Sequence, residues 1–121
     1  MAAFPSGSPL LGQSVTEKLT KTNHPIWKAQ ILAALRGAQM AVFIDGNAVA
    51  PAATLEIVKS GNEIEKVPNP ALERWAAQEQ QVLSFLLSSL SREILTQVAT
   101  MPTAADVWRA IEGIFASQSR A

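Results

Sequence analysis

Cysteine and tyrosine are absent from the 121 residues, and histidine occurs once. Without cysteine the chain can form neither disulfides nor thiolate metal sites, and it has no thiol nucleophile. The single histidine, His24, stands beside Pro25 at a predicted helix start, so we favour a solvent-facing side chain over a member of a Ser-His-Asp triad. A histidine metal site would need further ligands that no local spacing supplies.

An excess of charge of either sign is also missing. Ten basic and ten acidic residues give a formal net charge of zero. Nucleic-acid-binding proteins usually carry a basic excess because neutralising phosphates dominates their affinity, so we expect weak or no direct nucleic-acid binding. Zero net charge does little to keep copies of the chain apart and is compatible with self-association.

Long apolar runs are missing as well. The most apolar segments, 38–44 and 82–90, are far shorter than the ~20 residues that span a bilayer, and residues 1–11 do not resemble a secretory signal. We therefore expect a soluble, cytoplasmic protein without membrane contact. The six glycines are dispersed and form no phosphate-binding loop. With no convergent reactive residues, we predict no enzymatic activity, no cofactor and no small-molecule substrate.

The composition that is present, 48% hydrophobic and 17% charged residues, is typical of a folded globular domain. Residues 1–20 mix proline, serine and glycine without a sustained apolar period, and we interpret them as a flexible leader. Val15 and Leu19 could still pack onto the domain as a short helical turn. A helical domain is predicted over 21–117, followed by a tail at 118–121.

Helix starts are marked by capping residues. Asn23 or His24 is placed to cap a first helix with Pro25 in its first turn, and Asn69 caps a longer one that begins at Pro70. Ser91 precedes a short helix that ends before Pro102, and residues 103–106 form a capping box. Partial alternation around Ser60-Gly61-Asn62 favours a short β-hairpin at about 54–67, with an irregular loop over 46–68 as the alternative. The fold class is therefore all-α, or mainly α: a bundle of four to five helices.

Each main helix carries one apolar face with one tryptophan. Because these tryptophans lie within apolar faces and not among basic residues, core packing is favoured over a nucleic-acid platform. The predicted core residues are Trp27, Ile31, Leu35, Leu72, Trp75, Leu83, Leu86, Trp108, Ile111 and Phe115.

One charged residue, Glu79, falls on or beside an apolar face, four residues after Trp75. A charge at such a position is costly unless it is paired or hydrogen-bonded. Two interpretations stay open. Glu79 lies half-exposed at the edge of the face, or it accepts hydrogen bonds from a neighbouring helix start or a basic side chain and fixes how the helices dock.

Taken in order, several motifs resemble the opening of copia-type Gag polyproteins of plant LTR retrotransposons. They are EKLTKTNHPIWK at 17–28, LRGA at 35–38, IDG at 44–46, Asn69-Pro70 with Trp75 and Glu79, and TAADVW at 103–108 followed by IFASQS. The resemblance covers about residues 15–121. It implies a fold like the N-terminal capsid domain, whose copies associate into particles around element RNA. Relatives often carry an acidic residue at the position of Glu79.

The resemblance implies a structural assembly module of Gag that acts in virus-like particles by self-association or by binding other Gag subunits. Relatives continue into further helices and a zinc knuckle, so we expect a truncated Gag. The alternative is a host-retained binding module that contacts a cellular protein or intact Gag without forming particles. As the contact set we predict four apolar residues outside the helical faces: Val42, Phe43, Ile57 and Ile64.

Overall fold

Helices dominate the chain, as a computed structural model describes it for residues 17–116. Within that range there are four α-helices and one two-stranded antiparallel hairpin. In chain order they are α1 (His24–Gly37), β1 (Thr54–Val58), β2 (Ile64–Pro68), α2 (Pro70–Ser88), α3 (Arg92–Val98) and α4 (Ala104–Ala116). The predicted mainly helical fold with its hairpin is confirmed. No helix in this range is long and apolar enough to cross a membrane.

Helix α1 begins as predicted, with Asn23 at the N-cap position and Pro25 in the first turn. The side chain of Asn23, however, does not cap the helix. Its Oδ1 accepts a hydrogen bond from the Thr20 N–H at 2.8 Å, and its Nδ2 donates to the Lys18 carbonyl at 2.9 Å. Asn23 therefore ties the preceding segment to the helix start.

The segment before α1 is part of the folded domain. Leu19 is fully buried and forms an isolated parallel bridge with Leu90. Its N–H donates to the Ser89 carbonyl at 2.8 Å, and its carbonyl accepts from the Ser91 N–H at 3.0 Å. Leu19 therefore packs in an extended conformation, not in a helical turn, and the predicted leader boundary at residue 20 is too late. Residues 1–16, including Val15, and the predicted tail at 118–121 lie outside the described residues.

The hairpin turn uses residues that tolerate a left-handed backbone. Strands β1 and β2 pair with Val58 opposite Ile64, and the turn between them contains Gly61 at φ +81° and Asn62 at φ +66°. Glycine adopts this conformation without steric cost, and asparagine tolerates it better than most residues. The Ser-Gly-Asn sequence therefore fixes where the chain reverses.

Helix α2 is joined to the hairpin through its cap. The Oδ1 of Asn69 accepts a hydrogen bond from the Ala71 N–H at 3.0 Å, while its Nδ2 donates to the Ala52 carbonyl at 2.8 Å. One side chain thus satisfies a free N–H of the helix and holds the base of the hairpin beside it.

Replacing Asn69 with alanine is expected to lower the free energy of unfolding by about 1 kcal/mol, because the cap is lost. Urea denaturation followed by circular dichroism measures this change. Asn47→Ala is the matched control, since Asn47 is exposed and the recorded hydrogen bond of Asn47 uses its backbone N–H. Equal losses in the two variants would contradict the capping role.

The last two helices begin at the predicted caps, with different chemistry. Ser91 occupies the N-cap position of α3, but its hydroxyl makes no capping bond. Thr103 precedes α4, and its Oγ1 accepts a hydrogen bond from the Asp106 N–H at 3.1 Å. The Asp106 carboxylate pairs with Arg109 at 2.7 Å.

One apolar core lies between the helices, with α2 packing most extensively on α4. Of the predicted core residues, seven are buried: Trp27, Ile31, Leu35, Leu86, Trp108, Ile111 and Phe115. Trp75 and Leu83 are partly buried against this core. Leu72 is only partly buried and lies outside the core cluster, because the buried segment of α2 begins at Glu79. Including Leu72 in the core was therefore wrong.

Candidate functional site

The carboxylate of Glu79 joins α2 to the start of α4. Its Oε2 accepts a hydrogen bond from the backbone N–H of Ala104 at 2.7 Å, and its Oε1 accepts one from Gln80 Nε2 at 2.9 Å. Glu79 is only 9% exposed, and Ala104 is fully buried. This is the contact with a neighbouring helix start that the docking interpretation describes, and a half-exposed edge position does not fit the burial.

The position of the carboxylate is favourable for electrostatic reasons. The first N–H groups of a helix have no partner within the helix, and the helix dipole places positive potential there. Glu79 takes the Ala104 N–H, and Thr103 takes the Asp106 N–H. Two first-turn donors of α4 are therefore satisfied, one of them by a side chain from another helix. The Glu79 contact sets where α4 sits on α2.

A shallow cavity of about 230 Å³ lies beside this contact. Phe43 and Trp75 form one wall with ring centroids 5.5 Å apart, and Glu79 and Arg109 also line the cavity. Arg109 pairs with Asp106 on its own helix, and the Glu79 carboxylate is held by its hydrogen bonds to Ala104 and Gln80.

A second polar cluster joins the start of α1 to the end of α4. Glu112 contacts His24 Nε2 through Oε2 at 3.0 Å and Lys28 Nζ through Oε1 at 2.6 Å. The His24 ring stacks on Phe115 with centroids 4.5 Å apart. The solvent-facing position predicted for His24 is wrong, because its side chain is only 13% exposed. Within residues 17–116 no group of three His, Asp or Glu side chains could hold a metal ion.

The four residues predicted to contact other subunits differ in their exposure. Val42, Ile57 and Ile64 are exposed, whereas Phe43 is 5% exposed and belongs to the core. The reason is a 3₁₀ turn at Ala41–Phe43, which turns the Phe43 ring against Trp75. Phe43 was therefore wrongly assigned to an interface.

The hairpin concentrates exposed apolar side chains. Large exposed apolar residues of the described part are Ile26, Val42, Val49, Leu55, Ile57, Val58 and Ile64, and all except Ile26 lie between 42 and 64. Strands β1 and β2 contact mainly each other, and Val67 is the only one of their residues that is not exposed. Such a hairpin has little support from the helical core.

The two faces of the hairpin differ in exposure. Directly opposite residues share a face, and neighbours along a strand alternate between faces. Leu55, Ile57 and Val67 therefore lie on one face, and Val58 and Ile64 lie on the other. Leu55 and Ile57 are 44% and 41% exposed, against 73% and 63% for Val58 and Ile64. Ile57 and Ile64, predicted as one contact set, point in opposite directions.

The predicted core residues leave out several that the structure buries. Phe85, Met40, Ile44 and Leu19 are all buried, yet none was among the predicted core residues. Phe85 is three residues after Val82 and is the easiest to detect, because this spacing continues the face of α2. The others lie outside regular helices, where no periodicity marks burial.

The chain is thus a small, mainly helical domain with an exposed hairpin and a buried carboxylate, Glu79, between α2 and α4. The chain belongs to the family of gag-polypeptides of the LTR copia type, whose model matches residues 31–121. The resemblance identified in the sequence is thus confirmed.

Two relatives are Retrovirus-related Pol polyproteins from the transposons RE1 and RE2 of Arabidopsis thaliana. Each is 31% identical to this chain over 109 residues. The matched region is 90% of this chain but 7% of each relative, so the chain spans a small part of these polyproteins. No solved structure matches the chain significantly.

Proposed function

We propose that this chain is a non-catalytic assembly module of a copia-type Gag, which contacts other Gag subunits in virus-like particles through its hairpin. Family membership supports this role. The observation that carries it is the concentration of exposed apolar residues between 42 and 64. Apolar surface that a domain leaves open beyond scattered single residues is typical of interaction sites.

The polar groups of the domain support a structural role and not a reactive one. Glu79 is committed to the α4 start, and Glu112 is committed to His24 and Lys28. Each cluster connects two helices. The balanced charge of the chain supports contact with protein subunits over direct contact with RNA.

Co-expression of the tagged chain with a full-length copia-type Gag tests the proposal. We expect the chain to be incorporated into sedimenting particles, and Ile64→Ser to reduce incorporation because a polar side chain replaces exposed apolar surface. Ile26→Ser is the matched control. Ile26 is 54% exposed, close to the 63% of Ile64, but belongs to α1 and not to the hairpin.

Three results would contradict the proposal. Exclusion of the chain from particles, or a block to particle formation, would favour the host-retained binding module instead. Equal loss of incorporation in both serine variants would show that the hairpin is not the contact surface.

A further inference from the structure

The hairpin has two edges, and they differ in the hydrogen-bond donors that they offer. Two backbone hydrogen bonds continue the β1–β2 ladder beyond its ends. The Lys59 N–H donates to the Glu63 carbonyl at 2.7 Å, and the Asn69 N–H donates to the Ala53 carbonyl at 3.0 Å. In an antiparallel ladder, hydrogen-bonded pairs alternate with non-bonded pairs. The odd-numbered residues of β1 therefore bond to β2.

The backbone N–H and C=O groups of the even-numbered residues of β1 face away from β2. The N–H and C=O groups of Thr54, Glu56 and Val58 face outward along the free edge of β1. Among residues 17–116 these groups make no recorded hydrogen bond to another segment. They form an unpaired edge of the kind that accepts another strand.

The edge of β2 is interrupted. Its outward-facing residues are Ile64, Lys66 and Pro68, opposite Val58, Glu56 and Thr54. Proline has no N–H to donate, so it is found on strand edges that are not extended further. A strand can therefore be added at β1, whereas Pro68 removes a donor from β2.

We infer that the free edge of β1 pairs antiparallel with β1 of a second copy of this chain, around a twofold axis at Leu55. This inference rests on the proposed self-association and specifies its geometry. Two hairpins joined in this way form a four-stranded sheet, whereas a two-stranded hairpin alone is marginal in water. Pro68 removes a donor from each outer edge, which disfavours a fifth strand and favours a closed dimer over a fibre.

The register follows from the side chains. An axis at Glu56 would place this carboxylate opposite its own copy, which is repulsive. An axis at Leu55 places Glu56 opposite Thr54 of the second copy. It also aligns Val67, Leu55, Leu55 and Val67 across the four strands as one apolar row. The net charge of zero adds no long-range repulsion between copies.

Proline substitutions distinguish the role of the β1 edge from that of the β2 edge. Glu56→Pro removes an outward N–H from the free edge, and Lys66→Pro removes one from the interrupted edge. The two residues face each other at a non-bonded pair, so both variants keep the internal ladder and lose the same cross-strand pair. Each dimer of Glu56→Pro lacks two hydrogen bonds, which should raise the dissociation constant about thirtyfold. Lys66→Pro should stay within about twofold of the unaltered chain.

The measurement is sedimentation equilibrium of the full 121-residue chain at moderate salt. A dissociation constant that rises in Glu56→Pro but hardly changes in Lys66→Pro supports edge pairing. A dimer that persists in both variants, or weakens equally in both, overturns edge pairing but leaves the proposed assembly role intact. A chain that is monomeric even when unaltered contradicts the inference together with the self-association on which it rests.

Single-cysteine cross-linking tests the register, because the chain contains no cysteine of its own. With the axis at Leu55, the two copies of Leu55→Cys have Cβ atoms about 5 Å apart, close enough for a disulfide after small adjustment. Ile57→Cys is the control, since Ile57 lies on the same face with nearly equal exposure, but its two copies are about 14 Å apart along the strands. Preferential oxidation of Leu55→Cys to a covalent dimer supports the register. Preferential oxidation of Ile57→Cys overturns it.

Discussion

Replacing Trp27 with alanine is expected to lower the free energy of unfolding by about 3–5 kcal/mol, as is typical of large aromatic residues removed from a core. Trp27 is fully buried, and its ring stacks on Trp108 with centroids 5.6 Å apart. Its Nε1–H donates to Ser89 Oγ at 3.0 Å. The substitution therefore removes packing, an aromatic contact and a hydrogen bond together.

Urea denaturation followed by circular dichroism measures the loss. Ile26→Ala is the control on the same helix, because Ile26 is 54% exposed and its truncation should change the free energy of unfolding by no more than about 0.5 kcal/mol. Ser89→Ala removes the acceptor of the indole N–H, together with the bond from Ser89 Oγ to the Leu86 carbonyl at 2.6 Å, and should cost about 1–3 kcal/mol because the buried N–H is left unsatisfied. A loss below about 1 kcal/mol in Trp27→Ala would mean that the indole is not in the interior.

Replacing Glu79 with alanine is expected to cost about 1–3 kcal/mol, because the buried N–H of Ala104 loses its acceptor. Glu79→Gln should cost about 1 kcal/mol, since an amide accepts a weaker hydrogen bond than a carboxylate. Its NH₂ group would also face the NH₂ group of Gln80, which now donates to Oε1.

Thermal unfolding of both variants checks this prediction, since about 1 kcal/mol shifts the midpoint of a domain of this size by roughly 4–8 °C. The control is Glu73→Gln, in the exposed first turn of α2. There we expect a loss of only a few tenths of a kcal/mol, from the weakened interaction with the helix dipole. An unchanged midpoint in Glu79→Gln would mean that the charge contributes nothing to helix docking.

Local signals in the sequence mark the helix starts and favour the hairpin. Asn69 before Pro70 and Thr103 before Asp106 mark helix starts through the chemistry of the free N–H groups, which needs no information about distant residues. Gly61 and Asn62 mark the turn because both tolerate positive φ. The hairpin predicted at about 54–67 accordingly matches strands at Thr54–Val58 and Ile64–Pro68.

Features that depend on tertiary contacts could not be predicted. Leu19 is a single apolar residue in a polar segment, and its burial depends on backbone bonds to Ser89 and Ser91, about 70 positions away. The two interpretations of Glu79 could not be separated either, because the choice depends on how α4 docks on α2. Ile57 and Ile64 lie on opposite faces because of the pairing register, which the alternation within each strand does not reveal.

Sedimentation velocity of the unaltered chain over a wide concentration range measures the proposed self-association. We expect a weight-average mass that rises with concentration from the monomer value of 12.9 kDa toward twice that value. The chain has no charge excess to prevent this association. A mass that stays at the monomer value at the highest concentration would mean that the chain does not self-associate.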